Sequence, residues 1–354
     1  MKKHNFSAGP AVLPASVMKK ASEAVIDFNG MGLSLIEISH RSKEFIAVME
    51  RAQDLALELT DLKSKGYKAM FLQGGASMQF LMTAYNLLET KAGYINTGAW
   101  STKAIKEAKL FGEVVEVASS KDYNFNYIPK GYTIPSDLDY LHITTNNTIF
   151  GTQFQEIPQT DVPLIADMSS DIFSRNIDYS KFDLFYAGAQ KNMGPSGTTL
   201  VIVKEELLAK ISHTIPSMMN YKVQLKSDSM FNTPPVFPIY TSMLTLEWLQ
   251  ENGGINQIEK HNKAKAKLIY NEIDQNSAFE GFAAKGDRSH MNATFNLAKG
   301  IDGSVFDDLW NEANISGLKG HRSVGGYRAS IYNALPLESV SLLVDIMKKF
   351  EQTL

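Results

Sequence analysis

The chain contains no cysteine. Disulfides, thiolate metal sites and a cysteine nucleophile are thereby excluded, and the absence fits a reducing compartment. Histidine is scarce too: the seven present are not clustered at metal-ligand spacing. No H-E-x-x-H, G-x-S-x-G, GKS/GKT-ended P-loop or G-x-G-x-x-G fingerprint occurs. An excess of charge is missing as well. Lys and Arg number 35 against 38 Asp and Glu, a net of −3, so nothing draws the chain globally to nucleic acid or an anionic membrane. No apolar stretch approaches the roughly 18 residues that span a bilayer. After Met1-Lys2-Lys3-His4-Asn5-Phe6 no apolar leader core follows, and Pro10 and Pro14 interrupt what does. The expectation is a cytoplasmic protein without a signal peptide.

What is present is an ordinary globular composition, 44% apolar and 21% charged over 354 residues, a length that suggests two domains. Short apolar runs lie at Tyr67–Gln73, Gly93–Thr97, Glu113–Ala118, Tyr140–Thr144, Pro163–Asp167, Asp183–Ala187 and Thr199–Lys204. Amphipathic patterns such as Met78–Leu88 and Thr102–Phe111 separate several of them. Strands alternating with helices predict an α/β domain built on a mostly parallel sheet. Beyond Lys204 the character changes. Residues Val223–Pro238 read as a long loop or interface. A helical pattern follows over Tyr240–Ile273, broken at Gly253-Gly254. Then comes a smaller α+β region, with strands at Met291–Leu297 and Tyr327–Asn333 and helices near Val305–Ala313 and from Leu337. The expected division is 15–255 for the large domain and 256–354, with 1–14, for the small one.

Five features carry chemistry. Lys191 lies just past an apolar run, in Tyr186-Ala187-Gly188-Ala189-Gln190-Lys191-Asn192. Small neighbours let a bulky group approach the backbone, and a lysine whose charge is disfavoured can form a Schiff base; a surface lysine in a turn is the bland alternative. Asp167 ends the preceding run, where carboxylates of parallel strands face a ligand crevice. With Ser169 and Ser170 following, it could equally be a cap. Gln73-Gly74-Gly75-Ala76-Ser77 is a strand-to-helix turn whose N–H groups could cradle a phosphate, or simply turn. Trp100 could lie on a planar ring or in the core. Finally, His40-Arg41 and the loop Gly320-His321-Arg322 with Arg328 suggest anion binding, since Arg matches carboxylate and phosphate bidentately; solvated basic turns would look the same.

In combination these motifs resemble the phosphoserine aminotransferases, which have the fold-type I (aspartate aminotransferase-like) architecture. The likeness runs almost end to end: Asn5-Phe6-Ser7-Ala8-Gly9-Pro10, Glu37-Ile38-Ser39-His40-Arg41, the Lys191 segment, Met230-Phe231-Asn232-Thr233-Pro234-Pro235, and Arg328-Ala329-Ser330-Ile331-Tyr332-Asn333-Ala334. The resemblance implies a seven-stranded sheet, pyridoxal 5'-phosphate as cofactor and a homodimer with shared active sites. It implies that Lys191 carries the cofactor as a Schiff base and acts as base, with Asp167 on the pyridinium nitrogen. Trp100 would stack on the ring, Thr148 and Gln190 would bond to it, and the backbone at Ala76 and Ser77 would hold its phosphate. Asn232 and Thr233 would reach that phosphate from the partner subunit. Arg328 would grip the substrate carboxylate with Ser7 nearby. His40 and Arg41, from the partner, and His321 and Arg322 would hold the distal anion. The implied substrates are L-glutamate, 3-phosphohydroxypyruvate and phosphoserine, on the route to serine, with the 4-phosphohydroxythreonine of pyridoxine synthesis left open. One departure stands out: some members carry Gly-Arg where this chain has Ala76-Ser77, so an arginine side chain is missing from the phosphate cradle.

Overall fold

A computed structural model of the chain describes residues 3–354; Met1 and Lys2, the first two of the expected small-domain segment, lie outside them. The seven apolar runs all become strands of one sheet: β1 (Tyr67–Gln73), β2 (Lys91–Asn96), β3 (Glu113–Ser119), β4 (Tyr140–Thr144), β5 (Leu164–Asp167), β6 (Leu184–Gly188) and β7 (Thr198–Lys204). Their spatial order is β1-β7-β6-β5-β4-β2-β3. Six strands run one way, and β7 alone runs against its neighbours β1 and β6. This is the α/β, fold-type I sheet that the resemblance implied. The inner strands β4, β5 and β6 are buried along their whole length. Both faces are covered, which is why they read as unbroken apolar runs rather than alternating ones.

Alternation survives in where the side chains go. Leu141 and Ile143 enter one hydrophobic cluster, with Phe71, Phe185 and Leu200. Tyr140 enters another, on the opposite face, with Met70, Tyr186 and Val201. Period-two side-chain direction therefore builds two cores on one sheet. The first is covered by the helices Ala15–Ile26, Lys43–Leu59 and Val236–Glu251, and the second by Ala76–Leu87 and Ala99–Ala108.

A third cluster collects Phe6 with Ala266, Phe295, Phe306, Tyr327, Phe350 and neighbours. It fills the space between a three-stranded antiparallel sheet (Phe279–Gly281, Asn292–Leu297, Tyr327–Ser330) and the helices Ser304–Glu312 and Leu337–Glu351. The chain start belongs here: His4–Asn5 pairs in parallel with Ile315–Ser316, and Phe6 is fully buried, a placement that stabilises by about 2–3 kcal/mol. One helix, Gly254–Gln275, serves both regions, giving Ile258 to the first cluster and Ala266, Ile269 and Ile273 to the third. It starts where the Gly253-Gly254 break was expected, with Gly253 at φ +89°.

The segment Val223–Pro238 differs from the expected loop. Its start lies in a short helix, Tyr221–Lys226, and its end opens the helix Val236–Glu251. The side chain of Asn220 caps the first, accepting from the Lys222 N–H at 2.8 Å, a start signal outside the window read as loop. Pro238 sits in the first turn of the second helix, where a missing N–H costs nothing.

Candidate functional site

Parallel strands β5 and β6 bring Asp167 and Lys191 to one edge of the sheet. Asp167 is the last residue of β5, paired with Tyr186 of β6. Lys191 follows the end of β6 by three residues, in the turn that feeds β7. This is the crevice outside the carboxyl ends of the strands, where ligands bind in open α/β sheets.

Lys191 Nζ donates to Thr148 Oγ1 at 2.8 Å and lies 5.8 Å from the centre of the Trp100 ring. Its side chain is half-buried. Burial pulls its amine down to about 8; the Asp167 charge opposes this, and Arg328 adds to it. About one-tenth of such an amine is neutral at pH 7, against about one part in three thousand for an ordinary lysine. It can therefore attack an aldehyde or take a proton near neutral pH.

Asp167 is buried, and its Oδ1 accepts from the Ser169 N–H at 2.9 Å; a turn and no α-helix follows it, so it is not the helix cap that Ser169 and Ser170 suggested. That does not exhaust it. Burial raises its carboxyl, while the charge of Lys191 pulls the other way. Its neighbour Asp171 is neutralised by Arg175 at 3.2 Å. Asp167 has no ion-pair partner among the described residues, so it can take a cationic ring nitrogen.

The N-terminal segment closes over the lysine. Ala11 N–H donates to the Gln190 carbonyl at 2.9 Å, and the Tyr332 hydroxyl donates to the Ala8 carbonyl at 2.8 Å. Gly9 has φ +140°, and a Cβ there would sit 3.2 Å from Lys191 Cγ. Only glycine suits this place, because the backbone itself packs on the lysine stem. Ser7 is held against Gly317, where a Cβ would come within 2.3 Å of Ser7 Oγ.

Cations gather on the other side. Arg328 reaches the Thr148 carbonyl through Nη1 at 3.3 Å, and its buried Nε has no partner. His321 is lowered from its ordinary value by burial and then by the charges of Arg328, Arg322 and Lys103. Its Nδ1 lies 2.7 Å from Ser323 Oγ and 3.3 Å from the Ser323 N–H, so the serine engages one ring nitrogen and leaves Nε2 for a ligand. Neither Arg322, Arg328 nor Lys103 pairs with a carboxylate among the described residues. Positive charge left unneutralised in a crevice attracts an anion.

The remaining expected residues fall less close. Ala76 and Ser77 open the helix Ala76–Leu87, whose start has no side-chain cap, so its N–H groups are available to an anion. Trp100 is half-buried, and its Nε1 lacks a partner. The Thr233 carbonyl accepts from Gln73 of the same chain at 2.6 Å. Asn232 and Thr233 thus lie beside the β1 edge and make no hydrogen bond to the Lys191 group. Arg41 is exposed, and His40 keeps a buried Nε2 without a partner. Two residues were not anticipated. Tyr332 was seen only as part of a run. Lys103, one helical turn after Trp100, puts its Nζ 4.4 Å from that ring's centre; the i, i+3 spacing was the available signal.

The family model of the class-V aminotransferases matches residues 3–343. A phosphoserine aminotransferase of Flavobacterium psychrophilum is 62% identical over 353 residues, 99% of both chains. Among solved structures, one of a phosphoserine aminotransferase, concerned with radiation damage of its Schiff base, superposes with a TM-score of 0.96 at 46% identity, covering both chains completely. The pyridoxal-phosphate-bound phosphoserine aminotransferase of Trichomonas vaginalis gives a TM-score of 0.92 at 35% identity, over 98% of this chain and 100% of that one.

Proposed function

Since the chain belongs to the phosphoserine aminotransferase family of class-V aminotransferases, we propose that it moves an amino group between L-glutamate and 3-phosphohydroxypyruvate, forming phosphoserine and 2-oxoglutarate. One observation carries this reading: Lys191, whose Nζ lies 2.8 Å from Thr148 Oγ1 and 5.8 Å from the Trp100 ring, follows the strand beside the one that ends in buried, unpaired Asp167.

The residues fit pyridoxal phosphate. Buried Asp167 suits a pyridinium nitrogen, the unpartnered Trp100 offers a flat face, and the uncapped helix start at Ala76 and Ser77 suits a phosphate. Thr148 and Gln190 would hydrogen-bond to the cofactor. When bound, the cofactor supplies a ring that accepts the electron pair left on the amino acid's α-carbon. The chain's own groups do the rest. The Lys191 amine would hold the cofactor through its aldehyde and, freed when the substrate's amino group takes its place, would carry the α-proton from the amino acid's α-carbon to the former aldehyde carbon. Thr148 orients that amine through its 2.8 Å bond. Asp167, as the anion, keeps a proton on the ring nitrogen. Arg328 grips the α-carboxylate with Ser7 nearby, and His321 and Arg322 hold the distal phosphate or carboxylate.

In this reading the active unit is a homodimer. His40 and Arg41 reach the partner's anion site, and Asn232 and Thr233 its cofactor phosphate. The exposed Met31, Leu33, Ile36 and Phe231, 40–59% open, support an apolar contact close to those residues. Residues 15–255 would form the cofactor-holding body and 256–354, with 1–14, the second.

The test is a half-reaction. The protein is loaded with pyridoxal phosphate, freed of excess, and mixed with phosphoserine alone. The yellow band should fade as the pyridoxamine band grows, and unphosphorylated serine should do far less. A yellow band indifferent to phosphoserine would refute the substrate; a protein that never turns yellow would refute the cofactor.

A further inference from the structure

We propose that Lys103 is a specificity residue for the phosphorylated substrate, swinging from the Trp100 ring to join His321 and Arg322 on the phosphate. This rests on the function proposed above and adds a ligand to that site.

Three observations converge. Lys103 stands one turn beyond Trp100 on the helix Ala99–Ala108, with Nζ 4.4 Å from the ring centre. Lys191 Nζ lies 5.8 Å from the same ring, so Lys103 is one indole away from the reacting amine. Second, Lys103 has no carboxylate partner among the described residues, whereas Lys91 and Lys63 do. An exposed lysine that rests on an aromatic face gains little from it, so little holds it there. Third, its charge bears on His321 together with those of Arg328 and Arg322. The geometry beside that charge effect is the shared Trp100 ring, with Lys103 Nζ at 4.4 Å and Lys191 Nζ at 5.8 Å from its centre. A phosphate dianion offers two charges and more acceptor oxygens than a carboxylate, and a mobile ammonium on a flexible stem suits it as a point charge. A distal carboxylate is satisfied by His321 and Arg322 without it.

The experiment compares Lys103→Met, which keeps the stem, with Lys103→Arg, which keeps the charge, in the cofactor-loaded protein. One reading is calorimetric titration with inorganic phosphate. The other is the half-reaction with phosphoserine and with serine. Lys103→Met should weaken inorganic phosphate about tenfold and raise the phosphoserine concentration for half-maximal rate about tenfold. Its limiting rate, and its slow reaction with serine, should be unchanged. Lys103→Arg should restore most of the affinity. Unchanged phosphate and phosphoserine affinities in Lys103→Met would overturn the proposal. So would an equal loss with serine, which would mean that Lys103 acts through Trp100. Wild-type protein that ignores phosphoserine would instead sink the substrate reading, while the phosphate titration would still decide on Lys103.

Discussion

Replacing Thr148 by valine should make Lys191 a stronger nucleophile near neutral pH in the cofactor-free protein. The Thr148 hydroxyl accepts from Lys191 Nζ at 2.8 Å, and it is the only hydrogen-bond partner of that nitrogen among the described residues. A hydrogen bond to an ammonium stabilises it by roughly 1.5–3 kcal/mol, and one to the neutral amine by less. A differential loss of about 1.4 kcal/mol is one pH unit. The added methyl desolvates the site further, in the same direction. The amine, at about 8 in the native chain, should then titrate near 7 in Thr148→Val. Its neutral fraction at pH 7 would rise from about one-tenth to about one-half, and aldehyde capture there would be about fivefold faster. Above about pH 9 the two proteins should react alike, because both amines are then neutral. The assay is brief exposure of cofactor-free protein to pyridoxal phosphate across pH 5–10, borohydride reduction, and mass mapping of the Lys191 peptide against exposed lysines such as Lys20. A midpoint that stays near 8 or moves up in Thr148→Val would refute the reasoning. A Lys191 profile matching that of Lys20 in wild type would refute the depressed amine altogether.

Asp167→Asn should still turn yellow but transfer amino groups more than about a hundredfold slower in stopped-flow. The same variant, cofactor-free, should melt no lower than wild type at pH 7. Burial raises this carboxyl, so its favourable contribution is present below the unfolded value and lost as pH rises through the raised one. Gly317→Ala should cost about 1–3 kcal/mol in urea unfolding, since the new Cβ would meet Ser7 Oγ at 2.3 Å at φ +76°; wild-type stability would show that the Ser7 segment yields freely. Lys265→Met should cost about 3–5 kcal/mol, because buried Lys265 Nζ donates to the carbonyls of Ile331, Tyr332 and Leu335 at 2.9, 2.6 and 3.1 Å, all of which would lose their donor. A drop under 1 kcal/mol in the same assay would mean that water replaces the ammonium there.

The sheet was legible because each strand is a short apolar run, the first few of them separated by helical pattern. Every boundary lies within about two residues of the expected one, β4 coinciding at both ends. Lys191 and Asp167 were legible as neighbours because parallel strands deliver their ends to one edge. The covering of Lys191 by Gly9 was not. It depends on His4–Asn5 pairing with Ile315–Ser316, and no local pattern encodes so distant a partner. Lys103 was overlooked for the opposite reason. Its neighbour Trp100 is only a turn away, but an exposed helical lysine looks like any other until its missing counter-charge is seen. His40, Arg41, Asn232 and Thr233 carry motif-level signal only, and one chain does not bring them to Lys191.

Asn333 sits just past Arg328, and its backbone N–H donates to Asn192 Oδ1 at 3.0 Å. Its amide donates to the Phe173 carbonyl at 3.0 Å and accepts from Asn262 at 2.8 Å. Asn192 is the residue after the reactive lysine. The amine and the guanidinium proposed to grip the carboxylate thus hang from one backbone N–H, like the two points of a callipers set by a single screw. In that reading substrates would be gauged by the span between those points. The outer helices of the small region can drift in sequence without resetting the gauge, whereas a change at Asn192, whose Oδ1 receives that N–H, would alter what length of amino acid the enzyme can measure.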